Sequence, residues 1–81
     1  MTITAAQVRA ARGLLSMTQD DLASLAQVTR KTLATFESEG REPRDATLLK
    51  LQAALEGAGV VFLENDAGVG VMLRRAGGPP G

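Results

Sequence analysis

The sequence predicts a mainly α fold of four helices followed by a short C-terminal β-hairpin. Apolar residues recur at spacings of three and four in four stretches before residue 59, which is the pattern of helices with one buried face. After residue 59, two apolar, β-branched runs flank a turn-forming segment, as in a hairpin. Apolar residues make up 44% of the 81 residues, enough for one small domain.

The first helix is predicted from about residue 5 to Ser16, with Thr2 or Thr4 as its N-cap. Gly13 is a poor interior residue and loosens the end of this helix. Its inner face consists of Val8, Ala11 and Leu15.

The second and third helices are predicted on either side of a tight turn. Thr18 caps the second helix, and Asp21 lies where a capping box places its acid. The inner face of this helix consists of Leu22, Leu25 and Ala26. Thr29 caps the third helix, in which Leu33 and Phe36 face inward. Two short helices joined so tightly must cross steeply, which is the geometry of a helix-turn-helix.

This stretch resembles the lambda-repressor-like (Xre or Cro-type) helix-turn-helix family. The family pattern of M-T-Q-x-x-L-A, a turn, V-[ST]-x-x-T-[IL] and a closing F-E is present here. It reads as Met17-Thr18-Gln19, Leu22-Ala23, Val28-Thr29, Thr32-Leu33 and Phe36-Glu37. The likeness extends from about Val8 to Leu55, so the resemblance implies a four-helix lambda-repressor-like domain.

Two positions depart from the family pattern. Gln27 occupies a turn position where the family has Gly and the backbone takes positive φ, so a strained Gln27 is expected. The family's Gly after the closing Glu is replaced by Glu39, with Gly40 next to it, and we expect the helix end to shift by a residue.

The resemblance implies that helix 29–39 reads the major groove of double-stranded DNA. The base contacts it implies are Arg30, Lys31, Ala34 and Thr35. The phosphate contacts are Thr18, Gln19, Arg41 and Arg44. It also implies an ion pair between Arg12 and Glu37 that joins the first helix to the third. The alternative for Arg12, Arg30 and Lys31 is a solvated charged surface.

A fourth helix is predicted after Asp45, which can cap it, and Gly57 and Gly59 end it. Its inner stripe is Leu48, Leu51 and Leu55, widened by Leu49, Ala53 and Ala54. This completes a helix-turn-helix domain over residues 1–59.

Residues 60–75 form the predicted hairpin, and residues 76–81 a disordered tail. A lone hairpin with apolar residues on both faces is barely stable, so it must cover the helices, join two subunits, or do both. The predicted dimerisation residues are Val60, Val61, Phe62, Leu63, Val69, Val71, Met72 and Leu73.

Composition argues against several other classes of protein. The chain has no Cys and no His, so disulfides, thiolate chemistry and the usual zinc sites are excluded. The sequence shows no pair of carboxylates, no Ser–Lys arrangement and no phosphate-binding loop that could support catalysis. We therefore predict no enzyme activity and no cofactor. The chain has no apolar run of membrane-spanning length and no signal pattern, which predicts a cytoplasmic protein that does not contact the membrane.

The formal net charge is zero, so any DNA-binding surface must be basic only locally. The leading hypothesis is a dimeric, sequence-specific DNA-binding regulator, most simply a repressor. The alternative is an antitoxin or adaptor that binds a partner protein through its C-terminal hairpin.

Overall fold

The computed structural model describes residues 2–39 and 43–75, with the side chain of Glu39 left out. Its elements are α1 (Ala5–Leu15), α2 (Gln19–Ala26), α3 (Arg30–Glu39), α4 (Asp45–Gly57), β1 (Val60–Asn65) and β2 (Gly68–Leu73). The predicted mainly α fold with a C-terminal hairpin is therefore confirmed. Gly40, Arg41 and the predicted tail lie outside the described residues.

One hydrophobic core joins the helices and the hairpin. Its buried side chains are Ile3, Val8, Ala11, Leu22, Ala23, Ala26, Leu33, Phe36, Leu48, Leu51, Leu55, Val60 and Phe62. Helix α3 packs on α1 and α2, whereas the hairpin packs on α1 and α4. Helix α1 therefore contacts both the third helix and β2. None of the helices in the described residues is long and apolar enough to cross a bilayer.

The helix termini follow local chemistry closely. Thr4, and not Thr2, is the N-cap of α1, and Ser16 ends this helix in the left-handed conformation. The prediction that Asp45 caps α4 is wrong. Arg44 occupies the N-cap position without a side-chain cap bond, and Asp45 is the first residue inside the helix. There its carboxylate still interacts favourably with the positive end of the helix dipole.

Two leucines predicted to face inward are exposed instead. Leu25 is about half exposed and Leu49 more so, while Ala23 takes the inner position in α2. The reason is rotational: each helical residue turns by about 100°. The buried arc of α2 runs from Leu22 through Ala26 to Ala23, and Leu25 lies outside this arc, about 60° beyond Leu22.

The hairpin has an inner and an outer face, set by its register. Val60 pairs with Leu73 and Phe62 with Val71. Opposed residues share a face of the sheet, and all four of these side chains are buried in, or packed against, the helical core. The outer face carries Val61, Leu63 and Met72, of which the last two are about half exposed. Half of the predicted dimerisation residues thus face the chain's own core.

Gln7 joins the helices to the hairpin. It is 2% exposed and forms a capping box with Thr4, with both bonds near 3 Å. Its amide Nε2 also donates to Leu63 O at 3.1 Å and to Gly70 O at 2.9 Å, one acceptor on each strand. The two N–H groups of a single amide therefore hold both strands against the start of α1.

We expect Gln7→Leu to lower the free energy of unfolding by roughly 2–3 kcal/mol, because it removes the bonds of a buried amide to Thr4 N, Leu63 O and Gly70 O. Urea denaturation followed by circular dichroism measures this change. Gln52→Leu is the matched control, since among the described residues the Gln52 side chain bonds to the exposed Glu56 on its own helix. Equal effects of the two substitutions would contradict a linking role for Gln7.

Candidate nucleic-acid interface

The N-terminus of α2 is closed by a capping box. Asp21 N donates to Thr18 Oγ1, and Thr18 N donates to Asp21 Oδ2, both at 3.0 Å. The bond from the Thr18 backbone, reinforced by its hydroxyl, holds the pKa of Asp21 below its ordinary value. Thr18 is exposed, and its hydroxyl oxygen is the acceptor that closes the cap.

The turn between α2 and α3 depends on Gln27. This residue ends α2 in the left-handed region, at φ 57° and ψ 46°, and its N–H is directed at Ala23 O and Ser24 O. The expectation of a positive φ at Gln27 is confirmed. An L-residue in this conformation costs about 1 kcal/mol, which Gly would avoid.

Helix α3 presents its first turns outward. The Thr29 hydroxyl oxygen accepts from Thr32 N at 3.2 Å, which caps the helix start. Arg30 and Lys31 are exposed. Ala34 and Thr35, one turn further on, are half-buried. The four residues predicted to contact bases therefore include two exposed cations and two short side chains.

The far end of α3 is held by a buried carboxylate. Glu37 is 3% exposed and is paired with Arg12 through two bonds, Nε to Oε2 at 2.7 Å and Nη2 to Oε1 at 2.6 Å. Arg12 Nη1 also donates to Met17 O at 3.0 Å. The side-chain bond to Glu37 raises the pKa of the Arg12 guanidinium above its ordinary value.

Two more side chains reach the same residue. Arg9 Nη1 donates to the backbone carbonyl of Glu37, and Gln19 Nε2 donates to Glu37 Oε1 at 3.3 Å. Helix α1 and the start of α2 thus both bond to the end of α3. A carboxylate with this many donors holds three helices in one arrangement.

Arg30 pairs with Asp20, although no spacing in the sequence predicts this contact. Its Nε lies 3.2 Å from Asp20 Oδ1, and the two side chains are 65% and 77% exposed. Such an exposed pair contributes little to stability. It does place a negative charge beside the cation predicted to contact a base.

Of the two arginines in the loop before α4 that were predicted to contact phosphates, the structure describes Arg44. Arg44 is exposed and directly precedes α4. Arg41 lies outside the described residues.

Three functional features were missed at the sequence level. The Thr4-x-x-Gln7 spacing is a capping-box signature that could have identified Gln7, although its bonds to the hairpin have no sequence signal. The Arg9 bond to Glu37 O and the Asp20–Arg30 pair likewise depend on how the helices cross.

The geometry agrees with the comparison to known families. The helix-turn-helix family model matches residues 8–58, more than half of the chain. The chain belongs to the lambda-repressor-like helix-turn-helix family. This helix-turn-helix protein is therefore a DNA-binding regulator. A search of curated proteins finds no match.

We expect Gln27→Gly to raise the free energy of unfolding by roughly 0.5–1 kcal/mol, because Gly adopts the left-handed conformation without strain. Ser24→Gly is the control, since Ser24 is exposed inside α2 and there Gly should destabilise the helix by a similar amount. Thermal and urea unfolding measure both changes. A loss of stability in Gln27→Gly would show that the Gln27 side chain contributes more than its backbone strain costs.

Proposed function

We propose that this protein is a dimeric repressor that reads the major groove with helix 29–39. The observation that carries the proposal is the exposed start of α3, with Arg30 and Lys31 outward, on a helix whose other end is fixed by Glu37. A rigid helix with exposed cations at its N-terminal end is the arrangement that helix-turn-helix proteins insert into DNA. Such a role would place the protein in the cytoplasm.

The side chains of α3 suit base edges. Arg30 or Lys31 would donate to O6 and N7 of guanine, and Ala34 or the Thr35 methyl would contact a thymine methyl. Because Ala34 and Thr35 are half-buried and short, their contacts require close approach of the helix to the groove floor. The longer Arg30 and Lys31 would reach bases or phosphates at its rim.

Phosphate contacts would come from the start of α2 and from the loop before α4. Free N–H groups and the Thr18 hydroxyl at the start of α2 suit a phosphate oxygen. The Gln19 amide uses one N–H toward Glu37 and retains the other for a phosphate. Arg41 and Arg44 would add contacts on the flank.

A single module of this size makes few phosphate contacts, so we infer that two copies bind half-sites about one helical turn apart. The hairpin is the proposed coupling between them. Its outward residues Val61, Leu63 and Met72, together with Val69, are the ones available for this role. Bound across a promoter, such a dimer would repress by occlusion.

The second candidate is an antitoxin or adaptor. Its support is the half-exposed apolar set Leu63, Val69 and Met72 on the hairpin, which could bind a different protein as well as a second copy. Members of either class would bind DNA through α3, so the two candidates differ only in what covers the hairpin.

Replacing Arg30 and Lys31 by Ala should reduce affinity for a duplex selected from random DNA by at least about 30-fold, since two base or phosphate contacts of about 1–3 kcal/mol each are lost. Fluorescence anisotropy at fixed salt measures the affinity, and circular dichroism verifies the fold.

The control for this pair is Lys50→Ala, an exposed cation on α4, which should change the affinity less than about threefold. If the double variant bound the selected duplex as tightly as the wild type, the assignment of α3 as the reading helix would be lost.

We expect Asp20→Asn to tighten DNA binding by a few-fold, because it removes a negative charge near the phosphates and releases Arg30 from its pair. Glu56→Gln on α4 makes the same change of charge and should have little effect. Titration of both variants at low and high salt tests this. Weaker binding by Asp20→Asn would indicate that Asp20 orients Arg30 for base contact.

A further inference from the structure

The alternation of hydrogen-bonded and non-bonded pairs along the hairpin shows which backbone groups point outward, away from the other strand. Arg74 N donates to Gly59 O at 2.9 Å, so these opposed residues form a hydrogen-bonded pair. Such pairs alternate with non-bonded ones along an antiparallel ladder. By the observed register, Val60–Leu73, Phe62–Val71 and Glu64–Val69 are the non-bonded pairs. The N–H and C=O groups of Val69, Val71 and Leu73 therefore lie on the free edge of β2.

The two edges of the hairpin differ in how they are protected. On the β1 edge, Val60 and Phe62 are only 3% and 8% exposed, and the third edge residue, the exposed Glu64, carries a charge, so this edge offers little to another chain. On the β2 edge, Val69 is half exposed and Val71 and Leu73 are half-buried. Strand β2 also contains no charged residue and no proline, the usual devices that prevent edge pairing.

We propose that β2 pairs edge to edge with β2 of a second copy of this chain, antiparallel, about a twofold axis at Val71. The proposal rests on the dimer proposed above and specifies its interface. In this register Val71 opposes Val71 of the partner subunit, and Val69 opposes Leu73 of the partner subunit. All three free-edge residues of each copy are then used, and six backbone hydrogen bonds form. A shift of the axis to either neighbouring residue leaves some of these groups without a partner.

Charge complementarity supports a second copy as the occupant of this edge. With the axis at Val71, Arg74 opposes Gly68 of the partner subunit and Arg75 opposes Ala67 of the partner subunit. Both cations are exposed at the end of β2. Each would lie beside the turn of the other copy, where Asp66 is exposed. Twofold symmetry produces this attraction twice.

The dimer so formed has one continuous four-stranded sheet in the order β1-β2-β2-β1. The helices of each copy stay on the inner face, where Val60 and Phe62 already pack. The separation between the two α3 helices is then set by a rigid sheet and by the Gln7 amide that bonds to it. That arrangement would hold two reading helices at a fixed distance for two half-sites.

Cysteine cross-linking tests the register, because the chain has no Cys of its own. Opposed residues of a hydrogen-bonded pair have Cα atoms about 5.5 Å apart, within the range of a disulfide. Val71→Cys should therefore form a disulfide-linked dimer under mild oxidation. Val69→Cys and Leu73→Cys should each stay uncrosslinked alone, since identical residues would be about 14 Å apart along the strands. A mixture of these two variants should cross-link to each other.

Two further variants and one measurement separate the possible outcomes. Leu63→Cys, on the outer face, should stay uncrosslinked, and Asp66→Arg should raise the dissociation constant of the dimer several-fold at low salt. Sedimentation equilibrium of the wild-type chain should show a dimer.

A dimer in which Leu63→Cys cross-links and Val71→Cys does not would overturn the edge register while leaving the proposed dimeric regulator standing. A wild-type monomer at all concentrations would overturn both the dimer and this interface, and would leave DNA reading by α3 to its own test.

Discussion

The buried carboxylate of Glu37 joins three of the helices of this protein, α1, α2 and α3. It receives two bonds from Arg12 on α1 and one from Gln19 at the start of α2, and its backbone carbonyl receives one from Arg9. A buried ion pair contributes little net stability, yet removing one partner costs about 3–5 kcal/mol because the other charge is left buried. The pair therefore acts mainly on geometry, since any crossing of α3 that separates these groups is strongly disfavoured.

Helix α1 extends this constraint to the rest of the chain. Its middle, at Arg9 and Arg12, is bonded to α3, and its start, at Gln7, is bonded to both strands of the hairpin. The hairpin cannot tilt relative to α1 without breaking the bonds of the Gln7 side chain, which is itself buried. Helix α3 and the proposed dimer edge are thus attached to one rigid element, on which a fixed spacing between the α3 helices of two copies would depend.

The pairing of charges also reconciles zero net charge with DNA binding. Arg12 is neutralised by Glu37 inside the domain, so it adds nothing to the field outside. Asp20 partly offsets Arg30 at the surface, which leaves Lys31 as an exposed cation on α3. A weak field of this kind gives little non-specific attraction to DNA, so specific contacts in the groove and two copies of the domain would have to supply most of the affinity.

The sequence alone determined the elements and the family. The caps at Thr4, Thr18 and Thr29 and the spacing of the leucines are local signals. Each depends only on residues within a few positions along the chain, so it can be recognised without knowing the tertiary structure. The left-handed conformation of Gln27 is likewise predicted locally, because Gln27 occupies the turn position of the motif where the backbone takes positive φ.

Only the tertiary structure decided which neighbours these residues meet. That Leu25 is exposed while Ala23 is buried, that Gln7 bonds to two strands more than fifty residues away, and that Asp20 lies beside Arg30 all depend on crossing angles between elements. Crossing angles are set by the sum of many packing contacts across the core, and a pattern read along one segment contains no information about the segment packed against it.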